Sequence, residues 1–178
     1  GSRHQLLMQA ELPMSLGDSV QIAADLQGSG SDIANWSGTL YLNTRDFQLA
    51  TLRPLAADSG ISVEGASNLE LWVGVVGMQP VWGSGTISLQ KPQIQNVSAD
   101  AQGVAADHLS ARFHWWEHQQ SWRVGVSDFE LQRDKQVVWP ASGFDLVIAS
   151  GETTTLQGQA SLLVMDELNS LLPLVPWV

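Results

Sequence analysis

The residues with the most chemical potential are His114, Glu117 and His118, in the run HWWEH. The string fits H-x-x-E-H, in which two histidines bind a metal ion and the glutamate acts as general base. That chemistry needs a helix. Four residues of helix rise about 6 Å and keep both imidazoles on one face, so both can reach one Zn²⁺ at roughly 2.0–2.1 Å. On a strand the same four residues span about 13 Å, and one ion cannot hold both. A zinc hydrolase would also need a third ligand, for which Glu130, Glu152 and Glu167 are the candidates.

The flanks decide between the two elements. As a helix, Leu109, Phe113 and Trp116 make a stripe that Asp107 could cap. As a strand, Leu109, Ala111, Phe113 and Trp115 fall on one face, and His108, Ser110, Arg112 and His114 on the other. Beyond the motif, Trp122, Val124 and Val126 alternate with Arg123, Gly125 and Ser127, leaving residues 117–121 as a polar connector. That is the pattern of a hairpin. A helix would have to stop just after His118 with no Gly or Pro to stop it. The hairpin is the better reading, and the zinc hydrolase is the remote alternative.

Other catalytic patterns are missing. "WGSGT" (82–86) lacks the G-x-S-x-G spacing of a nucleophile elbow and runs into a strand. No phosphate-cradling glycine loop occurs. Asp128, Glu130 and Asp134 read as a solvated face, and Asn35 and Asn96 sit in glycosylation sequons of the kind short sequences often contain. We therefore expect no enzyme, no catalytic residue, no metal and no cofactor.

The 178 residues are one domain's worth of chain, with 44% hydrophobic residues and a formal net charge of −10. Eight Lys and Arg, with no basic cluster, make nucleic acid and anionic membrane surfaces poor partners. Cysteine is absent, which rules out disulfides. No apolar run approaches 18 residues, so no helical membrane span is expected. Gly1-Ser2 has the look of an expression scar, and the apolar ending "LLPLVPWV" suggests a piece of a longer protein. Residues 3–178 are read as a single β-rich domain. The eight Trp, at 36, 72, 82, 115, 116, 122, 139 and 177, suit core or sheet-edge sites, or a surface that holds sugars or acyl chains.

Period-two alternation dominates the chain. Val20, Ile22, Ala24 and Leu26 alternate with Gln21, Ala23, Asp25 and Gln27; Trp36, Gly38, Leu40 and Leu42 with Ser37, Thr39, Tyr41 and Asn43; and Leu69, Leu71, Val73 and Val75 with Asn68, Glu70, Trp72 and Gly74. Residues 86–90, 97–101, 144–149 and 154–164 also read as strands, and 28–32 as a turn. Two segments depart from this. Residues 45–57 carry Leu49, Leu52 and Ala56 at helical spacing, with Asp46 as a cap, and residues 165–176 carry Met165, Leu168 and Leu172. Each follows a strand, and the two units, near 37–55 and 157–174, align: Gly38 precedes Asp46 by eight residues, as Gly158 precedes Asp166. Such a repeat suggests an array with neighbouring copies. The fold expected is mainly β: an antiparallel, strongly curved sheet, an open groove or incomplete barrel, with two short helices.

"NWSGTLYLNTRDFQLATLRPL" (35–55), followed by "VEGASNLELWVGV" (63–75), resembles the large AsmA-like envelope proteins of Gram-negative bacteria, in their YhdP-like branch. "LSARFHWWEHQQSWRVGVSDFELQRDKQVVWP" (109–140) resembles the same family's hairpin with Trp near its turn and a closing Trp-Pro. The likeness covers about residues 18–174 and gives His114, Glu117 and His118 no part. It implies a protein anchored in the inner membrane by an N-terminal helix outside this stretch. It further implies a periplasmic β-sheet folded into a groove, phospholipid moved to the outer membrane, and upkeep of the envelope barrier. Phospholipid acyl chains and neighbouring repeats are then the expected partners. The groove-lining candidates are Ile22, Leu26, Leu40, Leu71, Val73, Phe113, Trp115, Trp122 and Val124. The competing reading is a closed β-sandwich, a structural or interaction module in which those residues are core.

Overall fold

The computed structural model describes residues 1–178 apart from 31, 53–60, 97–102, 119–120, 150–154 and 168–178. Among the described residues there are ten strands: β1 (Ser2–Glu11), β2 (Ser19–Gly28), β3 (Ser37–Gln48), β4 (Ile61–Val76) and β5 (Gln79–Asn96). β6 (Val104–Ala105), β7 (His108–His118), β8 (Ser121–Arg133), β9 (Gln136–Ala149) and β10 (Thr155–Ala160) follow. They form one antiparallel sheet in chain order, except that the short β6 pairs with β5 and β7 takes the next place. β1 and β10 are its two edges, so the sheet is not closed into a barrel.

Short turns keep the strands in one sheet. Gly77 and Met78 link β4 to β5 with φ of 57° and 56°, and Asp134 and Lys135 link β8 to β9 with φ of 52° and 61°. Two residues with positive φ make the type I′ turn whose twist matches that of a hairpin. At these two hairpins the second strand must lie beside the first; elsewhere, as between β1 and β2 and between β2 and β3, longer segments intervene and the pairing itself keeps the strands in one sheet. The closed sandwich is therefore not what this chain forms. Among the described residues, elements pack chiefly on their sheet neighbours. The accessible surface is 11520 Å², against roughly 8500 Å² expected of a compact monomer of this mass.

Bulges bend the strands. Register shifts interrupt β3–β4 between Thr44 and Phe47, β4–β5 at two places, β7–β8 after Ser110, and β8–β9 around Phe129. Each inserted residue raises local twist and curves the sheet. Asp46 is one of them: its φ is 47° and its N–H donates to Asn68 Oδ1 at 2.9 Å. This corrects the helix expected over 45–57. β3 continues to Gln48, Asp46 is a bulge rather than a cap, and only Leu49–Leu52 form a 3-10 turn before the described residues stop. Strand pairing overrode a weak helical spacing because β4 offered partners up to Gln48. The second helix is seen only at its start, residues 165–167, where Glu167 accepts a 2.9 Å bond from Arg133. The strand expected over 154–164 ends at Ala160, with residue 154 outside the described residues, as is the strand expected over 97–101.

Candidate functional site: an apolar face of the sheet

The register sorts the side chains onto two faces. Residues directly opposite across a ladder share a face. One row therefore runs Leu6, Ala24, Leu40, Val73, Gly83, Trp115, Val124, Leu146 and Gly158. The next, two residues along each strand, runs Met8, Ile22, Leu42, Leu71, Gly85, Phe113, Val126, Phe144 and Ala160. Neither row contains a polar or charged side chain. Nine strands at about 4.8 Å spacing make an apolar track of about 38 Å across the sheet, open at both edges. Leu26, opposite Gly38, and Trp122, opposite Glu117, stand on the same face at its margins. All nine residues singled out from the sequence thus lie on one face.

Among the described residues no second sheet covers this face; Leu6 and Met8 on the edge strand β1 are 56% and 50% exposed, while residues on the central strands are better covered. Leu26 is buried, and Ile22, Leu40, Leu71, Val73, Phe113, Trp115, Trp122 and Val124 are half-buried. Large residues on the other face stand further out: Trp72 is 43% exposed and Trp82 40%. On a curved sheet, side chains converge on the concave face and splay on the convex one. On the central strands the apolar face is the better covered of the two, and it is called the inner face below. Aromatic rings complete it where the strands carry glycine. A Cβ at Gly83 would meet Trp115 Cη2 at 2.1 Å, and one at Gly85 would meet Phe113 Cζ at 3.0 Å. The rings occupy the space the glycines leave, as aromatic residues do beside glycine in strongly bent sheets.

One end of the face is packed shut. Trp139 and Leu131 are each 1% exposed, and Trp139 Nε1 donates to the Ser142 hydroxyl at 2.8 Å. Phe129, Trp139 and Phe144 meet edge to face, with centroids 5.4–5.7 Å apart. This cluster escaped the sequence reading because two register shifts around Phe129 break its alternation. Leu42, Val126, Phe144 and Leu146 were also missed as lining residues, although the alternation around each carried the signal.

His114, Glu117 and His118 lie on strand β7. The strand spacing sets the two histidines about 13 Å apart along the chain, and Glu117 is on the opposite face from His114. His114 stacks on Trp116 with centroids 5.2 Å apart, and its ring covers Gly125. Glu130 accepts from Gln132, Glu167 from Arg133, and Glu152 lies outside the described residues. Among the described residues no group of three His, Cys, Asp or Glu side chains is placed to hold a metal ion. The connector is also shorter than expected: pairing runs out to His118 opposite Ser121, so Glu117 and Ser121 are strand residues. On the outer face, Asp25 is held by Arg3, whose Nε donates at 2.7 Å and whose Nη2 makes the second bond. The hydrogen bond with Arg3 holds the Asp25 carboxyl below its ordinary value.

An open antiparallel meander with two uninterrupted apolar rows across one face is a single-sheet β protein. The YhdP family model matches residues 1–178. The chain belongs to the YhdP family. No curated protein and no solved structure matches it.

Proposed function

We propose that this chain is a non-enzymatic segment of an envelope protein that shields phospholipid acyl chains in its apolar trough. In this reading it belongs to a periplasmic protein anchored in the inner membrane, serving lipid transport to the outer membrane and the permeability barrier. The observation that carries the proposal is the pair of uncharged rows running unbroken from β1 to β10. A buried methylene is worth about 0.8 kcal/mol, so a tail gains by entering at any point. No polar group along the rows fixes it at one place, and it can slide. Head groups remain at the rim in water, where no cationic cluster is needed.

The family and the absence of a helix, among the described residues, long enough to cross a membrane are consistent with a segment that works beside membranes. Native mass spectrometry of the chain after incubation with phospholipid tests the reading. We expect adducts of phospholipid mass under gentle conditions, and their loss in Leu42→Asp. A bare protein mass at every lipid concentration would leave the sheet a spacer or docking module instead.

A further inference from the structure

The outer face carries an aromatic belt that the trough does not explain. Trp72, Trp82 and Trp116 are 43%, 40% and 37% exposed on the polar side of the sheet. Tyr41 lies opposite Trp72 with ring centroids 4.3 Å apart, and Trp82 lies opposite Trp116. Trp82 is laid flat: a Cβ at Gly74 would meet its Nε1 at 1.9 Å, so the ring rests on the backbone and turns its free face outward. Beside these rings is a cavity of about 690 Å³, lined by Trp72 and Trp82 on one side and by Arg3, Asp25, Gln27 and Thr39 among others on the opposite side.

We propose that this cavity and its indoles form a subsite for a neutral, β-linked oligosaccharide. A pyranose offers an apolar C–H face and a rim of hydroxyls. The indoles supply large apolar faces. The opposite wall supplies hydroxyl-sized partners: the Arg3–Asp25 pair, fixed by two mutual bonds and locally neutral, the Gln27 amide and the Thr39 hydroxyl. The cavity volume falls in the range of small-molecule sites. The net charge of −10 repels polyanions, which favours an uncharged glycan. A protein partner fits poorly. Three indoles exposed by two-fifths offer about 300 Å², well short of the roughly 800 Å² a stable interface takes from each side. An acyl chain has the uncharged rows of the other face. The belt crosses β3 to β7, about 14 Å, which suits an extended β-linked chain of a few sugars.

The test is titration of chitohexaose, and separately cellohexaose, into the ¹⁵N-labelled protein, following the indole N–H signals. We expect saturable shifts at the Trp72 and Trp82 signals with one of the two sugars. Trp72→Ala should weaken binding at least tenfold, and Arg3→Ala, which leaves every ring in place, should weaken it severalfold. Should Trp72→Ala fail to fold, Trp82→Leu and Arg3→Ala carry the test. Absence of saturable shifts with both sugars overturns the proposal, as do shifts that persist in the folded variants. Movement of these signals by neutral phosphatidylcholine vesicles alone would make the face a membrane-resting surface and also overturn it. Lipid adducts in the trough bear only on the inner face, so the two readings stand or fall separately.

Discussion

Two tryptophans show how differently one residue type is used. Trp139 is fully enclosed, with its indole N–H bonded to Ser142 and its faces against Phe129 and Phe144. Trp122 is half-buried on the open face. Truncation of Trp139 to Ala should cost about 3–5 kcal/mol, since it leaves a cavity and an unpaired Ser142 hydroxyl. The same change at Trp122 should cost clearly less and reduce lipid adducts instead. Urea unfolding of the two variants, side by side, checks this order. Equal losses would place Trp122 in a closed core. At Asp25 the carboxyl is lowered chiefly by its bond with Arg3. A depressed carboxylate adds stability that is complete above its unfolded value and lost as pH falls through its folded one. The wild type should therefore lose more stability than Asp25→Asn on acidification from neutral into and below the ordinary carboxylate range. The effect is modest, because both groups face solvent. Parallel pH profiles for the two proteins would count against the pair.

Turns and bulges set the architecture at the scale of elements. Met78 occupies a left-handed position with φ of 56°, and its N–H donates to the Trp36 carbonyl at 2.8 Å. Glycine keeps that bond and removes a conformational cost of about 1–2 kcal/mol. It adds about 0.5–1 kcal/mol of unfolded-state entropy. Met78→Gly should thus stabilise the protein by about 0.5–1 kcal/mol, a rise in Tm of about 2 °C. Differential scanning calorimetry reads it directly, and a fall in Tm would mean the Met78 side chain contributes packing worth more than the strain. The bulge at Asp46 explains why a helix was expected where a strand runs on. Leu49 and Leu52 have helical spacing, but a spacing of three is also what a bulged strand followed by a 3-10 turn produces.

For the whole molecule, the consequence is a single layer. Most domains bury an apolar sheet face against a second layer; among the described residues here the sheet has none. In the proposed reading this face is what accepts a chain-like guest. A charge in the middle of the track should separate these two roles. Leu40→Asp places a carboxylate between Ala24 and Val73. We expect it to abolish phospholipid adducts while circular dichroism retains the β spectrum, because a half-buried position leaves the carboxylate access to water. Retained lipid binding with an intact fold would move the lipid path off these rows.

The strands, their faces and the hairpin at HWWEH were legible in the sequence, because period-two alternation is a local property set by the geometry of each strand. The nine residues chosen from it share a face for the same reason. The sequence could not tell a trough from a sandwich, since both bury the same alternating residues. That was decided by the strand pairing, which sets the strands in one antiparallel sheet with its two edges apart, helped by the two-residue turns at 77–78 and 134–135. The bulges also hid the cluster around Trp139 and turned an expected helix into strand. Register shifts depend on which partner a strand finds, and only the assembled sheet fixes that.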